Sequence, residues 1–194
     1  NLRCTYCMPE DQYNWLKRRD LLTFEEITSL TSEFMALGVN QVRLTGGEPL
    51  LRRGLDVLIS KLVTLPKSPK LAMTTNGSLL EPHATQLRNA GLGHITVSLD
   101  TLVSSRYRAL TGRDELKAAQ QGIRAAQKAG YSSIKLNMVV MRGFNDDELA
   151  SMLKFAASQG AELRFIEYMD VGGANRWHSS DVVNATEILE RLEN

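Results

Sequence analysis

The sequence predicts an α/β fold built on a parallel sheet, and three features of its 194 residues lead to that fold class. Short apolar runs typical of strands alternate with helical patterns from one end of the chain to the other. A glycine follows most of the helical patterns, as is common where a helix ends. No strand leads into a dinucleotide-binding or P-loop glycine motif. Right-handed βα units of this kind form either an open doubly wound sheet or part of a (β/α) barrel.

Five strands account for the apolar runs, and each ends where polar or turn-forming residues begin. They are predicted at residues 39–45, 71–75, 95–99, 134–141 and 163–168. No low-complexity linker separates them. The sequence therefore predicts one domain over residues 1–194.

Helical patterns fill the gaps between the strands. Thr23 with Glu26 predicts a capping box at the first helix, and Asn145 with Glu148 predicts another at the sixth. The apolar stripe of the first helix is predicted to be Ile27, Leu30, Phe34 and Leu37. The helices are predicted from residue 23 to 37, at 55–63, 82–90, 103–110 and 115–129, after residue 145, and from residue 186 onward.

Composition limits the classes of protein that fit. The net charge is +1, so the chain is not expected to attract nucleic acid or an anionic membrane surface. No apolar run reaches the length of a transmembrane helix. Two cysteines in a chain of this length do not form a disulfide scaffold, which favours a reducing, cytoplasmic location. Both ends are abrupt, and we expect the sequence to be a fragment.

Polar residues interrupt strands that should be almost wholly apolar in a parallel sheet. Arg43, Lys135 and Arg164 lie inside strands, and more polar residues follow at the strand ends: Thr74, Asn76, Ser98, Asp100 and Asn137. Ligands of α/β proteins bind at the carboxyl ends of the strands. The three cations together predict a strongly anionic, phosphate-bearing ligand. The structural alternative is that each cation pairs with a carboxylate, with Glu48 and Glu167 as candidates.

The pair Cys4-x-x-Cys7 contains the only cysteines of the chain. Its spacing fits a redox pair, half of a zinc site, or part of an iron–sulfur site. None of the three histidines lies at ligand spacing from it. On spacing alone, the redox and zinc interpretations rank above the iron–sulfur one.

Two motifs taken together change that order. Cys4-Thr5-Tyr6-Cys7-Met8-Pro9 resembles the end of the radical S-adenosylmethionine motif C-x-x-x-C-x-x-C, and Thr45-Gly46-Gly47-Glu48-Pro49 resembles the GGEP motif of the same superfamily. More narrowly, the chain resembles the molybdenum cofactor biosynthesis protein A family, the GTP 3′,8-cyclases, from end to end. The run Arg164-Phe165-Ile166-Glu167-Tyr168-Met169-Asp170 is the most specific part of that resemblance.

The resemblance implies a partial TIM-type (β/α)₆ barrel whose first strand would precede Asn1 and whose C-terminal region would follow Asn194. It implies a [4Fe–4S] cluster with S-adenosylmethionine, and a second [4Fe–4S] cluster on the missing C-terminal region. The implied activity is that of a lyase of molybdenum cofactor biosynthesis. It converts GTP to (8S)-3′,8-cyclo-7,8-dihydroguanosine 5′-triphosphate through a 5′-deoxyadenosyl radical.

Site residues carry over position by position. Cys4 and Cys7 match cluster ligands. Positions that contact S-adenosylmethionine are matched by Tyr6, Gly47, Ser98, Arg164 and Met169, and positions near GTP by Arg43, Thr74 and Lys135. No catalytic residue is assigned beyond the cluster ligands. Gln41 departs from the family, many members of which have lysine at that position.

The resemblance also implies partners: GTP, an electron donor that reduces the cluster, and a downstream cyclic pyranopterin synthase step, and it allows a homodimer. We expect this chain alone to be inactive and not to hold a cluster stably. Two other functions remain open. One is a radical S-adenosylmethionine enzyme that acts on a peptide or another small molecule, and the other is a non-catalytic zinc or redox-switch domain.

Overall fold

The computed structural model describes residues 1–8, 13–14, 16–171 and 177–193. Pro9 of the cysteine motif lies outside the described residues. Strands and helices alternate as predicted, with two helices between the third and fourth strands. The strands are β1 (Gln41–Leu44), β2 (Lys70–Thr75), β3 (His94–Ser98), β4 (Ser133–Val140) and β5 (Glu162–Glu167). The helices are α1 (Phe24–Ala36), α2 (Leu55–Val63), α3 (Ala84–Ala90), α4 (Ser104–Thr111), α5 (Leu116–Lys128), α6 (Leu149–Ser158) and α7 (Ala185–Glu193).

The five strands form one parallel sheet in the order β1-β2-β3-β4-β5. Each new strand is added to the same edge, so the strand order never reverses as it does in a doubly wound sheet. With right-handed connections, this order places the helices on one face of the sheet. Within the described residues the sheet does not close. The architecture is therefore an unclosed part of a (β/α) barrel, as predicted.

The two faces of the sheet differ sharply in polarity. The face toward the helices carries the core, and Met73, Val97, Leu136 and Met138 are fully buried there. The strand register places a second set of residues on the opposite face: Arg43, Thr74, Thr96, Ser98, Lys135, Asn137, Glu162 and Arg164. We call this set the polar face. A sheet whose second face is polar leaves that face available for a ligand.

The predicted apolar stripe of α1 is correct at Ile27, which packs against the core, and wrong at its other three positions. Leu30, Phe34 and Leu37 are 47%, 56% and 83% exposed, and the buried residues of the helix are Thr31 and Met35. Helix α1 precedes the edge strand β1 in the chain and packs mainly against α2. Its orientation is thus set by a neighbouring helix, which the 3.6-residue period does not reveal. The capping box of Thr23 and Glu26 is present as predicted.

The predicted capping box at Asn145 is also wrong. Helix α6 begins at Leu149, and the Asn145 side chain is fully buried in other contacts. Its Nδ2 donates to the carbonyls of Asp100 (2.7 Å) and Val139 (2.9 Å), and its Oδ1 accepts from the Met141 amide. A residue that looks like a local cap therefore joins the end of β3 to the end of β4.

None of the helices in the described residues is both long enough and apolar enough to cross a membrane.

Candidate functional site

Arg43 crosses the polar face from β1 toward the centre of the sheet. Its Nη1 donates to Oγ1 of Thr74 on β2 (3.0 Å) and to Oγ1 of Thr96 on β3 (3.2 Å). Among the described residues, no carboxylate forms an ion pair with this guanidinium. A guanidinium that bonds only to hydroxyl groups retains its full charge for an anionic ligand.

The other two cations share one carboxylate. Glu162 accepts from Lys135 Nζ (3.0 Å to Oε2) and from Arg164 Nε (2.7 Å to Oε1). A hydrogen bond from Arg164 is the main cause, and one from Lys135 the second, of a pKa below the usual range for this carboxyl group. The group is therefore ionised near neutral pH. Glu48 and Glu167, the candidates of the structural alternative, form no ion pair with these cations in the described residues, and Glu162 pairs with two of them instead. Glu162 was missed because it lies one residue before the predicted strand, although it is two residues from Arg164 and so shares its face.

Glu48 has a structural role at the end of β1. One carboxylate oxygen accepts from the Thr75 hydroxyl (2.7 Å) and the Leu50 amide (3.1 Å), and the other accepts from the Asn76 amide (2.9 Å). Its side chain caps the one-turn 3₁₀ helix Pro49–Leu51 by accepting from the Leu50 amide. The glutamate of the GGEP motif therefore ties the glycine turn after β1 to the turn after β2.

The glycine turn itself is open. Gly46 has φ +139°, a conformation that side chains disfavour. No heavy atom lies within 4 Å of the position where a Cβ of Gly47 would be. The backbone at Gly47 is therefore accessible to a ligand at the carboxyl end of the sheet.

The N-terminal segment, residues 1–8, lies beside the same end of the sheet, and we call it the cysteine loop. The amides of Arg3 and Thr5 donate to the carbonyls of Thr111 and Leu110 at the end of α4, each at 2.9 Å. Asn1 bonds the side chain of Asn76, just after β2. These contacts place Cys4 and Cys7 next to the strand ends.

The two thiols interact directly. A hydrogen bond to Cys7, with burial second, raises the pKa of the Cys4 thiol, and the same bond lowers the pKa of Cys7. Cys7 is the exposed member of the pair. In the described part of the chain, no group of three or more His, Cys, Asp or Glu side chains is arranged to hold a metal ion. The cysteine loop therefore presents two soft ligands side by side, and the pKa of the exposed one, Cys7, is lowered by its neighbour.

Tyr6 connects the cysteine loop to the end of β3. Its hydroxyl donates to Oδ2 of Asp100 at 3.0 Å, and the Val139 amide donates to Oδ1 at 2.8 Å. Burial raises the pKa of Asp100 to about 6. Burial, followed by the nearby Asp100 carboxylate, also raises the pKa of Tyr6. Asp100 stands out in the sequence as a polar strand end, but the sequence does not reveal this contact.

Ser98 and Asn137 are register partners at the carboxyl end of the polar face. Oδ1 of Asn137 is buried and has no hydrogen-bond partner among the described residues. A buried acceptor without a partner is costly, so the site lacks a donor at this point. A ligand hydroxyl or amine would supply it.

The structure brings most of the predicted site residues to one end of the sheet. Arg43, Thr74, Ser98, Lys135 and Arg164 lie on the polar face, while Cys4, Tyr6, Cys7 and Gly47 lie on turns beside it. Met169 follows β5 and is 59% exposed, and Gln41 lies two residues before Arg43 and is exposed. Two surface grooves lie elsewhere, against α5 and between α1 and α2. The polar face has the convergent charges, so we take it as the site.

Comparisons with known proteins identify the family of the chain. The model of the radical SAM superfamily matches residues 1–156, which include the cysteine loop and four of the strands. A "GTP 3′,8-cyclase" of Acidothermus cellulolyticus is 49% identical over 99% of this chain and 54% of its own length. A "GTP 3′,8-cyclase" of Streptomyces coelicolor is 45% identical over 99% of this chain and 57% of its own. The chain spans about half the length of these curated relatives.

Solved structures support the fold. SuiB of Streptococcus suis, bound to S-adenosylmethionine, matches all of this chain and 43% of its own with a TM-score of 0.79 and 17% identity. Methylornithine synthase matches all of this chain and 58% of its own with a TM-score of 0.70 and 17% identity. At such identities the likeness concerns the fold alone.

Proposed function

Because the chain belongs to the radical SAM superfamily, we propose that it is the core of a GTP 3′,8-cyclase of molybdenum cofactor biosynthesis. The proposal rests on the resemblance to cyclases that are 45–49% identical over 99% of the chain. The observation that carries it is the Arg43 guanidinium, whose partners among the described residues are all hydroxyl groups, on a face that also holds Lys135 and Arg164. A triphosphate is the kind of ligand that such a row of cations binds.

The residues present fit part of a cluster site and an S-adenosylmethionine site, since the chain supplies two of the three cysteines of the C-x-x-x-C-x-x-C motif. Cys4 and Cys7 are adjacent thiols with one lowered pKa, and thiolates are the ligands of iron–sulfur clusters. The open backbone at Gly47 and the unpartnered Asn137 Oδ1 provide an acceptor-rich surface for a cofactor with amino and hydroxyl groups. When bound, a [4Fe–4S] cluster with S-adenosylmethionine supplies one-electron reductive cleavage that yields a 5′-deoxyadenosyl radical.

The residues of the chain divide into two sets under this proposal. Cys4 and Cys7 hold the cluster, while Tyr6, Gly47, Ser98, Arg164 and Met169 orient S-adenosylmethionine. Arg43, Thr74 and Lys135 bind GTP, with Thr74 also fixing the Arg43 guanidinium. In this proposal, substrate and cofactor lie side by side on the polar face, at the carboxyl ends of the strands.

The rest of the proposal extends beyond the polar face. It takes residues 1–194 as one radical SAM core, with a second [4Fe–4S] cluster outside this chain. It includes an electron donor, a downstream cyclic pyranopterin synthase step, assembly as a homodimer and a cytoplasmic location.

Binding of GTP tests the substrate half of the proposal. Isothermal titration at low salt should show GTP binding, and Arg43→Gln should weaken it about tenfold or more, since a charged hydrogen-bond donor to the phosphates is lost. The control is Arg124→Gln, which removes an arginine on α5, away from the polar face, and should leave the affinity unchanged. Equal affinity of Arg43→Gln and the unmutated chain would contradict the assignment.

Product analysis tests the reaction. The full-length protein that contains this chain, reconstituted anaerobically with iron and sulfide, should convert GTP in the presence of S-adenosylmethionine and a reductant. Cleavage of S-adenosylmethionine without a GTP product would favour a radical enzyme with another substrate. One zinc ion without acid-labile sulfide would favour a zinc or redox domain.

A further inference from the structure

Glu162 is the one carboxylate on the polar face, and it contacts both Lys135 and Arg164. Its side chain is 53% exposed, whereas that of Lys135 is 23% exposed. The Glu162 side chain is therefore more exposed to solvent than either cation, and its carboxylate neutralises the charges of both. A ligand that approaches Lys135 meets this carboxylate first.

We propose that Glu162 is a specificity-determining residue, a built-in counter-anion that an anionic ligand must displace from Lys135 and Arg164. The inference rests on the proposed function, in which Lys135 faces the nucleotide and Arg164 faces S-adenosylmethionine. One carboxylate then sets the availability of both cations.

The geometry supports displacement over a permanent structural pair. Glu162 and Lys135 are register partners on neighbouring strands, and Arg164 is two residues along β5, so all three side chains project from the same face. Arg164 uses only Nε in its contact, which leaves both Nη groups without a partner among the described residues. The exposed carboxylate can rotate away without breaking any contact in the core.

The need to displace Glu162 favours ligands that carry several negative charges. A ligand with a single carboxylate would exchange one anion for another at Lys135 and gain little. A polyphosphate carries several charges and also reaches Arg43, which no carboxylate neutralises in the described structure. The Arg43 guanidinium reaches Thr96 on β3, whose register partner on β4 is Lys135, so the two cations lie over neighbouring strands of the same face. The polar face therefore favours ligands with more than one anionic group.

Binding of inorganic tripolyphosphate tests the inference without a cluster or a nucleotide base. Glu162→Gln should raise the affinity about fivefold to tenfold, because the competing charge is removed while the size of the side chain is kept. Glu162→Asp keeps the charge and should bind as the unmutated chain does. Glu167→Gln is the matched control, since it neutralises a glutamate on the same strand but on the opposite face and should have no effect.

A second substitution locates the effect. In a Lys135→Gln background, Glu162→Gln should raise the affinity by about twofold at most, since it then releases Arg164 alone. Thermal denaturation of each variant verifies that it is folded. Equal or weaker binding by Glu162→Gln, including an absence of binding in both proteins, would overturn the inference.

The two proposals can fail separately. If the unmutated chain binds GTP but Glu162→Gln leaves tripolyphosphate affinity unchanged, Glu162 is not a counter-anion and the cyclase proposal stands. If Glu162→Gln raises tripolyphosphate affinity while the full-length protein makes no GTP product, the counter-anion role stands and the cyclase proposal fails.

Discussion

The hydroxyl of Tyr6 donates a 3.0 Å hydrogen bond to Oδ2 of Asp100, which is 94 residues away in the sequence. The other oxygen of Asp100 accepts from the Val139 amide, and the Asp100 carbonyl accepts from buried Asn145. The ends of β3 and β4 are thus joined to Tyr6, one of the two residues between the cysteines. The position of the cysteine loop depends on this buried carboxylate as well as on its own backbone contacts.

Tyr6→Phe should lower the free energy of unfolding by about 1–3 kcal/mol, since it leaves a buried carboxylate oxygen without its donor. Asp100→Asn keeps an acceptor for Val139 and can donate its amide to the Tyr6 oxygen, so Tyr6→Phe should cost about 1 kcal/mol less in that background. Urea denaturation at pH 7.5, without metal, gives the free energy of unfolding of the unmutated chain, the two single variants and the double variant. Strictly additive losses would mean that the two side chains do not interact in solution.

Local sequence patterns predicted the order of strands and helices correctly because each depends on neighbouring residues. The alternation of apolar runs with helical patterns indicated a parallel sheet. The capping box at Thr23 was predictable because its two residues, Thr23 and Glu26, are three positions apart. The polar strand ends were also found, since Arg43 and Lys135 stand out in otherwise apolar runs. Their common face follows from the two-residue period of a strand.

Contacts that depend on tertiary structure could not be predicted in the same way. Glu162 meets Lys135 only because β4 and β5 pair in a particular register. Asn145 resembles a local cap, yet its side chain bonds Asp100, 45 residues away. Leu30 and Phe34 have helical spacing but face solvent, because the neighbours of α1 determine its buried side. Patterns identified the site residues, while register and packing determined their partners.

Glu48→Gln should destabilise the fold by about 2 kcal/mol. Both carboxylate oxygens accept hydrogen bonds, and a glutamine must present its NH₂ group to at least one of the donors, such as the Asn76 amide. Chemical denaturation measures the change. Glu33→Gln, an exposed substitution on α1, is the control and should stay within about 0.5 kcal/mol. A loss for Glu48→Gln no larger than that of the control would show that the turns after β1 and β2 are not held by this residue.

Gly122→Ala should also destabilise the fold, by about 2 kcal/mol or more. A Cβ at Gly122 in α5 would lie 2.3 Å from the carbonyl oxygen of Gly77 and 2.9 Å from Cβ of Leu80. The turn at Gly77 follows Asn76, which bonds Asn1 and Glu48, so the clash is transmitted to the cysteine loop. The higher helix propensity of alanine offsets only about 1 kcal/mol.

Urea denaturation of Gly122→Ala can be compared with Gln127→Ala, an exposed change in the same helix that should alter the stability by less than about 0.5 kcal/mol. Stability of Gly122→Ala equal to that of the control would mean that the Gly77 turn moves aside without cost, and that α5 does not restrain the site.

Glu187 should make the stability depend on pH in the acidic range. Its carboxylate bonds Arg142 and Arg191, both at 2.6 Å, and these guanidinium groups lower its pKa to about 2. Since the folded pKa is below the unfolded value of about 4.3, the stabilisation is complete above that value and is lost as the pH falls toward 2. Glu187→Gln should therefore be less stable than the unmutated chain at pH 7, with a difference that shrinks below pH 4. Urea midpoints between pH 7 and pH 3 measure it, and Glu81→Gln, an exposed glutamate outside this network, should show no such trend. A constant difference across that range would mean that the two arginines do not favour the charged form of Glu187.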